Sequence, residues 1–256
     1  MTPDASPGTN PPEPSGIRRS RWIKGTVIGG IALVALLVGG PFIYIHVVEG
    51  DPPAALSVDK RTTDTQATHN ADASDGATTG SLDGTWKVAS GSQAGYRVKE
   101  VLFGQNTTAV GRTSGVTGHM TIAGTAVTAA AFTADMTSVT SDQSQRDGQF
   151  RGRIMETSRY PTAMFTLTRP IDLGSVPGAG EKKIYSAVGD LTLHGVTRTV
   201  TISLTTQRSG TQIMISGQIP IMFADYNINN PSFGGIRTDN DGIMEVGLTF
   251  TRNTQP

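Results

Sequence analysis

The sequence predicts an all-β fold class in which antiparallel strands form either an up-and-down barrel or a two-sheet sandwich. Apolar and polar residues alternate with a period of two through most of residues 82–252, as in strands with one buried face. Glycine and asparagine separate these segments at short spacing, and short connections favour antiparallel hairpins. The pattern predicts about eight to ten strands, which does not by itself distinguish a barrel from a sandwich.

The composition indicates one folded domain with less structured attachments. The 256 residues include 31 glycines, 14 prolines and no cysteine, and 21 basic side chains balance 21 acidic ones. The balanced charge argues against nucleic acid as a partner. Because cysteine is absent, disulfides, thiol chemistry and cysteine-ligated zinc are excluded.

A disordered cytoplasmic tail and a transmembrane helix are predicted at the N-terminus. Residues 1–17 are rich in Pro, Ser and Gly and have too few apolar side chains to fold. Residues 18–48 combine a basic flank with a charge-free run over residues 25–48. As a helix, this run would be about 36 Å long and would cross a hydrocarbon core of about 30 Å. Because the basic residues precede the run, we expect the N-terminus in the cytoplasm and the rest of the chain outside it.

We interpret this helix as a retained signal anchor, which predicts a single-pass protein of the cell membrane. The apolar run exceeds the roughly 7–15 residues of a cleavable signal peptide, and no clean Ala-x-Ala pattern follows it. Cleavage near Ala54 or Ala55 is the alternative. Residues 49–80 are mostly Asp, Thr, Ala and Ser without a period, which predicts a flexible linker. Residues 81–256 then form the β domain.

The clearest strand pair lies in residues 184–206. A turn at residues 194–197 reverses the chain, and the alternation of apolar and polar residues continues on both sides of it. The apolar positions are Tyr185, Ala187, Gly189, Leu191 and Leu193 on the first strand, and Val200, Ile202 and Leu204 on the second. A pair of this kind must bury its apolar face against a cover of side chains, or of side chains and a ligand.

Two segments interrupt the alternation. Residues 140–155 contain Thr140 and Gln143 at the spacing of a capping box, with Phe150 and Ile154 one turn apart, and predict a short helix. Residues 223–240 are polar and rich in Gly and Asn. A loop of this length in a compact domain is usually a binding lip or a lid.

Three motifs occur in order: Arg146-Asp147, then Tyr160-Pro161 followed by Phe165, then Gly-Asp-Leu-Thr-Leu-His-Gly-Val-Thr at residues 189–197. In this succession the chain resembles the YceI-like family, extracytoplasmic lipocalin-like barrels that bind polyisoprenoid lipids. The resemblance covers residues 85–252. It implies an eight-stranded antiparallel barrel with one short helix and an elongated apolar cavity for an isoprenoid chain.

One departure from the family pattern concerns the residues after Arg146-Asp147. The family usually has a histidine there, where this chain has Gln149 and Phe150. A role that depends on that histidine is therefore not expected in this protein.

The expected ligand site is the inward face of the barrel. A closed barrel of about eight strands is just wide enough for side chains or one slender ligand, and small inward residues such as Ala134, Ala187 and Gly217 leave room. From strand parity, the helical segment and the long loop, we expect a lipid to contact Phe132, Met136, Phe150, Phe165, Leu191, Phe223, Tyr226 and Met244.

No catalytic or metal site is expected. The chain has no Gly-x-Ser-x-Gly, phosphate-binding loop or His-Glu-x-x-His, and its histidines show no ligand spacing. We interpret Arg146 and Asp147 as an ion pair that pins the helix to the barrel. Asp190 and His194 are interpreted as groups that satisfy the turn backbone.

The predicted function is non-catalytic binding, sequestration or transport of an isoprenoid lipid, a quinone or a polyprenyl chain, in the cell envelope. No cofactor other than this lipid ligand is expected. The expected partners are the lipid and the membrane, without nucleic acid. Dimers are common among small barrels, so a homodimer is retained as an alternative to a monomer. The alternatives are a protein-interaction module of the envelope with a filled barrel, and an enzyme acting on a prenyl lipid.

Overall fold

A computed structural model of the chain describes residues 51–59, 81–102 and 104–252. Within these residues, twelve strands follow one another and one short helix, α1, lies between the fifth and sixth strands at Ser144–Gln149. The strands are β1 Gly84–Val88, β2 Gln93–Leu102, β3 Gln105–Thr113, β4 Val116–Ala123, β5 Ala126–Asp135, β6 Thr162–Leu167, β7 Ile171–Asp172, β8 Lys182–Leu193, β9 Val196–Ser209, β10 Gln212–Met222, β11 Ile236–Thr238 and β12 Asp241–Arg252.

Eight of these strands close into an antiparallel barrel. Their order around the ring is β1-β4-β5-β6-β8-β9-β10-β12, and β12 pairs with β1 to complete it. Another stretch of β12 pairs with β2, which pairs in turn with β3. The eight-stranded barrel implied by the family resemblance is confirmed, and the sandwich that the alternation alone left open does not form.

The β8–β9 hairpin forms as the alternation predicts. It pairs the two strands continuously up to Leu193 opposite Val196. The connecting residues His194 and Gly195 have positive φ angles of 50° and 76°, as a two-residue type I′ turn requires. Alternate residues of β8 from Ala187 onward are buried, so the apolar face of the hairpin forms part of the barrel interior.

The predicted short helix is α1, and Phe150–Ile154 continues it as a π-helical turn. Its N-cap residue, Gln143, makes no side-chain cap, so the predicted capping box does not form. Instead, Asp147 accepts hydrogen bonds from the backbone N–H and the hydroxyl of Ser141, at 2.8 and 2.7 Å. Phe150 then stacks on Tyr96 of β2 with ring centroids 5.0 Å apart, which holds the helical segment against the barrel.

The barrel has two different ends. At the closed end, the β8–β9 turn, the helical segment and residues 223–240 meet in one core cluster that includes Phe150, Leu193 and Tyr226. At the mouth end, the loop of residues 173–181 leads from β7 into β8. A second core cluster, which includes Trp86, lies in the half of the barrel toward the mouth end. The interior is therefore packed in two separate groups.

Residues 51–59, which fall within the linker predicted for residues 49–80, pack against the outer wall of the barrel, whereas residues 60–80 of that linker lie outside the described residues. We call residues 51–59 the strap. Val58 is only 1% exposed, and Asp59 forms an ion pair with Lys182 at the start of β8. The strap therefore reaches the mouth end along the outside of the barrel.

A buried carboxylate lies beneath the strap. Glu245 faces outward from β12 but is 0% exposed, and Arg112 donates to its Oε1 from Nε at 2.9 Å and from Nη2 at 2.7 Å. Arg97 lies 3.6 Å from Oε2, and the Leu56 N–H of the strap donates to the same oxygen at 3.2 Å. A charge without access to water needs such partners, so this cluster helps to hold the strap against the barrel.

The predicted tail, residues 1–17, and the predicted membrane-spanning segment, residues 18–48, lie outside the described residues. In the part of the chain that the structure describes, no helix combines the length and apolar character needed to cross a bilayer.

Candidate functional site

The barrel contains an apolar cavity of about 130 Å³ between its two core clusters. Residues of nine strands contribute to its wall, most of them from β4, β5, β6, β8, β9, β10 and β12 and one each from β2 and β7, and nearly all are aliphatic or aromatic. An engineered apolar cavity of about 150 Å³ stays dry and accepts benzene. The cavity is therefore suited to a slender apolar group.

Four of the residues predicted to contact a ligand line this cavity: Phe132, Phe165, Leu191 and Met244. Phe132 of β5 lies opposite Phe165 of β6, and their rings are stacked with centroids 6.4 Å apart and an interplanar angle of 7°. Leu191 of β8 lies opposite Phe165 on the other side. These four residues, which strand parity predicts to face inward, line one cavity. Their contact with a lipid stays a prediction.

Two glycines give the phenylalanine rings space against the wall. A Cβ atom at Gly118 would lie 2.7 Å from the Phe132 ring, and one at Gly189 would overlap the Phe165 ring. Glycine in a strand often marks such a close approach. A side chain at either position would force the ring or the backbone to move.

The other four predicted ligand residues lie at the closed end. Met136, Phe150, Phe223 and Tyr226 are buried in the closed-end core cluster, and they are not among the residues that line the cavity. Phe223–Tyr226 forms a 3₁₀ turn that packs with the helical segment. Lipid contact at these four positions therefore remains a prediction that the cavity does not support.

The cavity wall extends to the mouth end through residues that were not predicted as ligand contacts. Leu173 and Pro177 of the mouth loop line it, together with Tyr185, Gln207 and Arg208. Gln207 Nε2 donates to a loop carbonyl group at 3.1 Å, which ties the loop to β9. Leu173 and Pro177 stand in a segment without periodicity, where single apolar residues among glycines and serines were the only signal.

Polar groups on the cavity wall are few. Burial, with smaller contributions from the Glu181 and Asp172 carboxylates, raises the pKa of the Tyr185 hydroxyl, so this group stays neutral at physiological pH. Within residues 51–59, 81–102 and 104–252, no three acidic or histidine side chains are grouped as metal ligands. The wall offers mainly apolar contacts to a bound molecule.

The Arg146-Asp147 motif connects the helical segment to its surroundings. Arg146 does not pair with its neighbour, since its Nη2 lies 3.1 Å from Glu100 Oε1 of β2 and its Nη1 contacts Asp142. Burial lowers the pKa of Arg146, but the Glu100 and Asp142 carboxylates outweigh that effect and raise it above its usual value. Asp147 caps the preceding turn, so both side chains have structural partners.

His194 and Asp190 also have structural partners. His194 is buried, its Nδ1 lies 3.0 Å from the Tyr226 carbonyl oxygen, and its ring meets Tyr160 edge to face with centroids 4.6 Å apart. Asp190 accepts a hydrogen bond from the Thr199 hydroxyl at 2.7 Å. Neither side chain lines the cavity, so these contacts stabilise the hairpin and join it to the closed end.

Comparison with known proteins gave a family match and several similar structures. The model of the YceI-like domain matches residues 86–250. A polyisoprenoid-binding domain from Saccharophagus degradans, implicated in plant cell wall breakdown, has a TM-score of 0.55 and 22% identity over 65% of this chain and 98% of its own. This likeness shows the fold alone.

Two further structures are less similar. BcnA of Burkholderia cenocepacia has a TM-score of 0.46 and 20% identity over 60% of this chain and 95% of its own. A YceI protein of Campylobacter jejuni has a TM-score of 0.41 and 14% identity over 54% of this chain and 82% of its own. No curated protein matches the chain.

Proposed function

The chain belongs to the YceI-like family, and from that premise we propose that its barrel binds an isoprenoid lipid non-covalently. The observation that carries the proposal is the apolar cavity, whose wall suits a hydrocarbon chain. The Saccharophagus degradans domain, which is similar in fold, is described as polyisoprenoid binding. Because the wall offers few polar groups, we propose sequestration or transport of the lipid rather than catalysis on it.

Apolar burial would supply the affinity. At about 0.8 kcal/mol per buried CH₂ group, each isoprene unit contributes on the order of 3–4 kcal/mol before ordering costs. A cavity of about 130 Å³ holds roughly one or two such units, by comparison with a cavity that accepts benzene. A longer chain must project through the mouth end or displace core side chains, so affinity should rise with chain length only over the first units.

We propose further that the lipid is a quinone or a polyprenyl chain of the cell envelope, and that residues 18–48 anchor the protein in the cell membrane. The basic flank before the charge-free run supports a cytoplasmic N-terminus and an extracytoplasmic barrel. Because the chain has no cysteine, a cysteine introduced at exposed Ser81 reports topology. We expect it to react with a membrane-impermeant maleimide in intact cells, and protection until lysis would contradict this orientation.

Replacing two wall residues by carboxylates tests the proposed binding. We expect Phe165→Glu combined with Leu191→Glu to abolish lipid retention, because both side chains line the cavity and a charge in apolar surroundings is costly. The matched control changes their neighbours, Thr166→Glu with Thr192→Glu, which do not line the cavity. Lipid is measured by extraction and mass spectrometry, and circular dichroism checks the fold. Retention in a folded Phe165/Leu191 variant would contradict the site.

A further inference from the structure

We propose that the mouth end of the barrel docks on the surface of a lipid bilayer, with the side chains of Val176 and Ile184 in contact with lipid. This inference rests on the proposed lipid-binding function and adds the route by which a lipid reaches the cavity. We call Val176, Ile184 and the loop between them the mouth rim.

The mouth rim exposes apolar side chains next to the cavity wall. Ile184 is 72% exposed and Val176 is 37% exposed. Each precedes a residue that lines the cavity, Tyr185 and Pro177 respectively. Single exposed apolar residues are common on proteins, but these two lie at the end of the barrel where the cavity wall reaches Leu173 and Pro177 of the loop. Exposed apolar side chains beside an apolar opening favour an apolar partner there.

The two ends of the barrel differ in access. At the closed end, Phe150 stacks on Tyr96, and Phe223 and Tyr226 are buried in the same region. The cavity wall stops short of these residues and reaches Leu173 and Pro177 of the mouth loop instead. We therefore assign lipid entry to the mouth end, and a lipid that enters there must come from whatever surface the mouth rim contacts.

The charges of the mouth rim do not favour lipids with anionic headgroups over other lipids of a bilayer. Lys182 pairs with Asp59 of the strap, and Lys183 Nζ lies 3.6 Å from Glu181. Because each basic group has an acidic neighbour, apolar contact should dominate the attraction. Docking of this kind depends little on salt, whereas attraction between exposed charges is screened within about 10 Å at 0.1 M salt.

The absence of cysteine allows a test with one fluorescent label at a time in the full chain. Ile184→Cys carries an environment-sensitive fluorophore, and the protein is reconstituted in vesicles of phosphatidylcholine and phosphatidylglycerol that contain an acyl-chain quencher. The matched control is Phe233→Cys, which replaces an apolar residue that is 66% exposed in the loop at the closed end. We expect strong quenching and a blue shift at residue 184, neither at residue 233, and no change with added salt.

Several outcomes would overturn the proposal. Equal quenching at both positions, quenching at residue 233 alone, or none at either would each contradict docking through the mouth rim. A second variant of the full chain, Val176→Ser with Ile184→Ser, separates docking from binding. We expect its uptake of a prenyl quinone from these vesicles to slow about tenfold, because two apolar side chains no longer enter lipid. Its binding of the quinone in detergent solution should not change.

The two proposals fail in distinguishable ways. If the wild-type protein binds no prenyl quinone in detergent, the proposed function is contradicted, and the quenching at residues 184 and 233 still decides the docking. If it binds the quinone but the serine variant takes it up from vesicles at the wild-type rate, docking through the mouth rim is contradicted and lipid binding stands.

Discussion

The size of the cavity leads to a quantitative prediction for a side chain that fills it. Ala187 of β8 is 1% exposed and lines the cavity opposite Ile202 of β9. An empty cavity of about 130 Å³ destabilises the fold by about 3 kcal/mol, at roughly 24 cal/mol per Å³. We expect Ala187→Phe to recover part of this free energy, against an overpacking cost of about 1–3 kcal/mol. The lipid-free variant should therefore keep a free energy of unfolding near the wild-type value.

The same substitution should remove lipid binding. Urea unfolding is measured with and without a prenyl quinone, because a ligand that binds only the folded state stabilises it by about 2.7 kcal/mol at a concentration of roughly 100 times its Kd. We expect this gain for the wild type and none for Ala187→Phe. Ala129→Phe, which places the same ring at an exposed position on β5, should keep the gain. If Ala187→Phe gained as much stability as the wild type, the lipid would not occupy this cavity.

Three further predictions concern the structural features around the cavity. Burial is the main reason why the pKa of Tyr96 is raised, so the folded state should lose stability as the pH rises above about 10, where the tyrosine of the unfolded chain ionises first. Tyr96→Phe should lose less than the wild type in urea unfolding at about pH 8 and pH 11, and an equal loss would contradict this origin. Glu245→Gln leaves Arg112 without its charged partner and should cost about 3 kcal/mol of unfolding free energy. Adding Arg112→Met should recover part of that cost in a double-mutant cycle, whereas additive effects would show that the two residues are not coupled. Gly189→Ala places a Cβ in overlap with the Phe165 ring and 2.5 Å from a backbone carbonyl oxygen, so thermal unfolding should show a loss of about 1–3 kcal/mol. Adding Phe165→Leu to Gly189→Ala should relieve only the contact with the ring. A fully restored stability would contradict a contribution from the contact with the backbone carbonyl oxygen.

The wall of the cavity could be predicted from the sequence because a closed barrel imposes a simple rule on its strands. Successive side chains of a strand point to opposite faces, so an apolar residue that keeps the alternation must face the lumen. Phe132, Phe165, Leu191 and Met244 all follow this rule and line one cavity. The alternation alone does not predict that eight strands close into a barrel. That prediction depends on the resemblance to the YceI-like family, which rests on the three motifs.

Residues outside the regular strands were harder to predict. Phe150 and Tyr226 pack in the closed-end core cluster, and their contact with a lipid stays a prediction. An aromatic residue in a helix or loop indicates that it will be buried, but not in which cluster. Val58 falls within the linker predicted for residues 49–80, because the short apolar run at residues 54–58 shows no strand or helix period. The strap that carries Val58 is hydrogen-bonded to Glu245 and Arg112, which lie far along the chain and meet only in the folded barrel.

The most direct test of lipid binding is native mass spectrometry combined with organic extraction. The protein is a fragment of residues 51–256, which form one compact unit that includes the strap, purified without detergent from cells of its native host. We expect a bound species of discrete mass that yields a prenyl fragmentation ladder and is absent from Ala187→Phe. A folded protein that is empty, and still empty after incubation with menaquinone and polyprenyl phosphates, would contradict the proposed lipid binding.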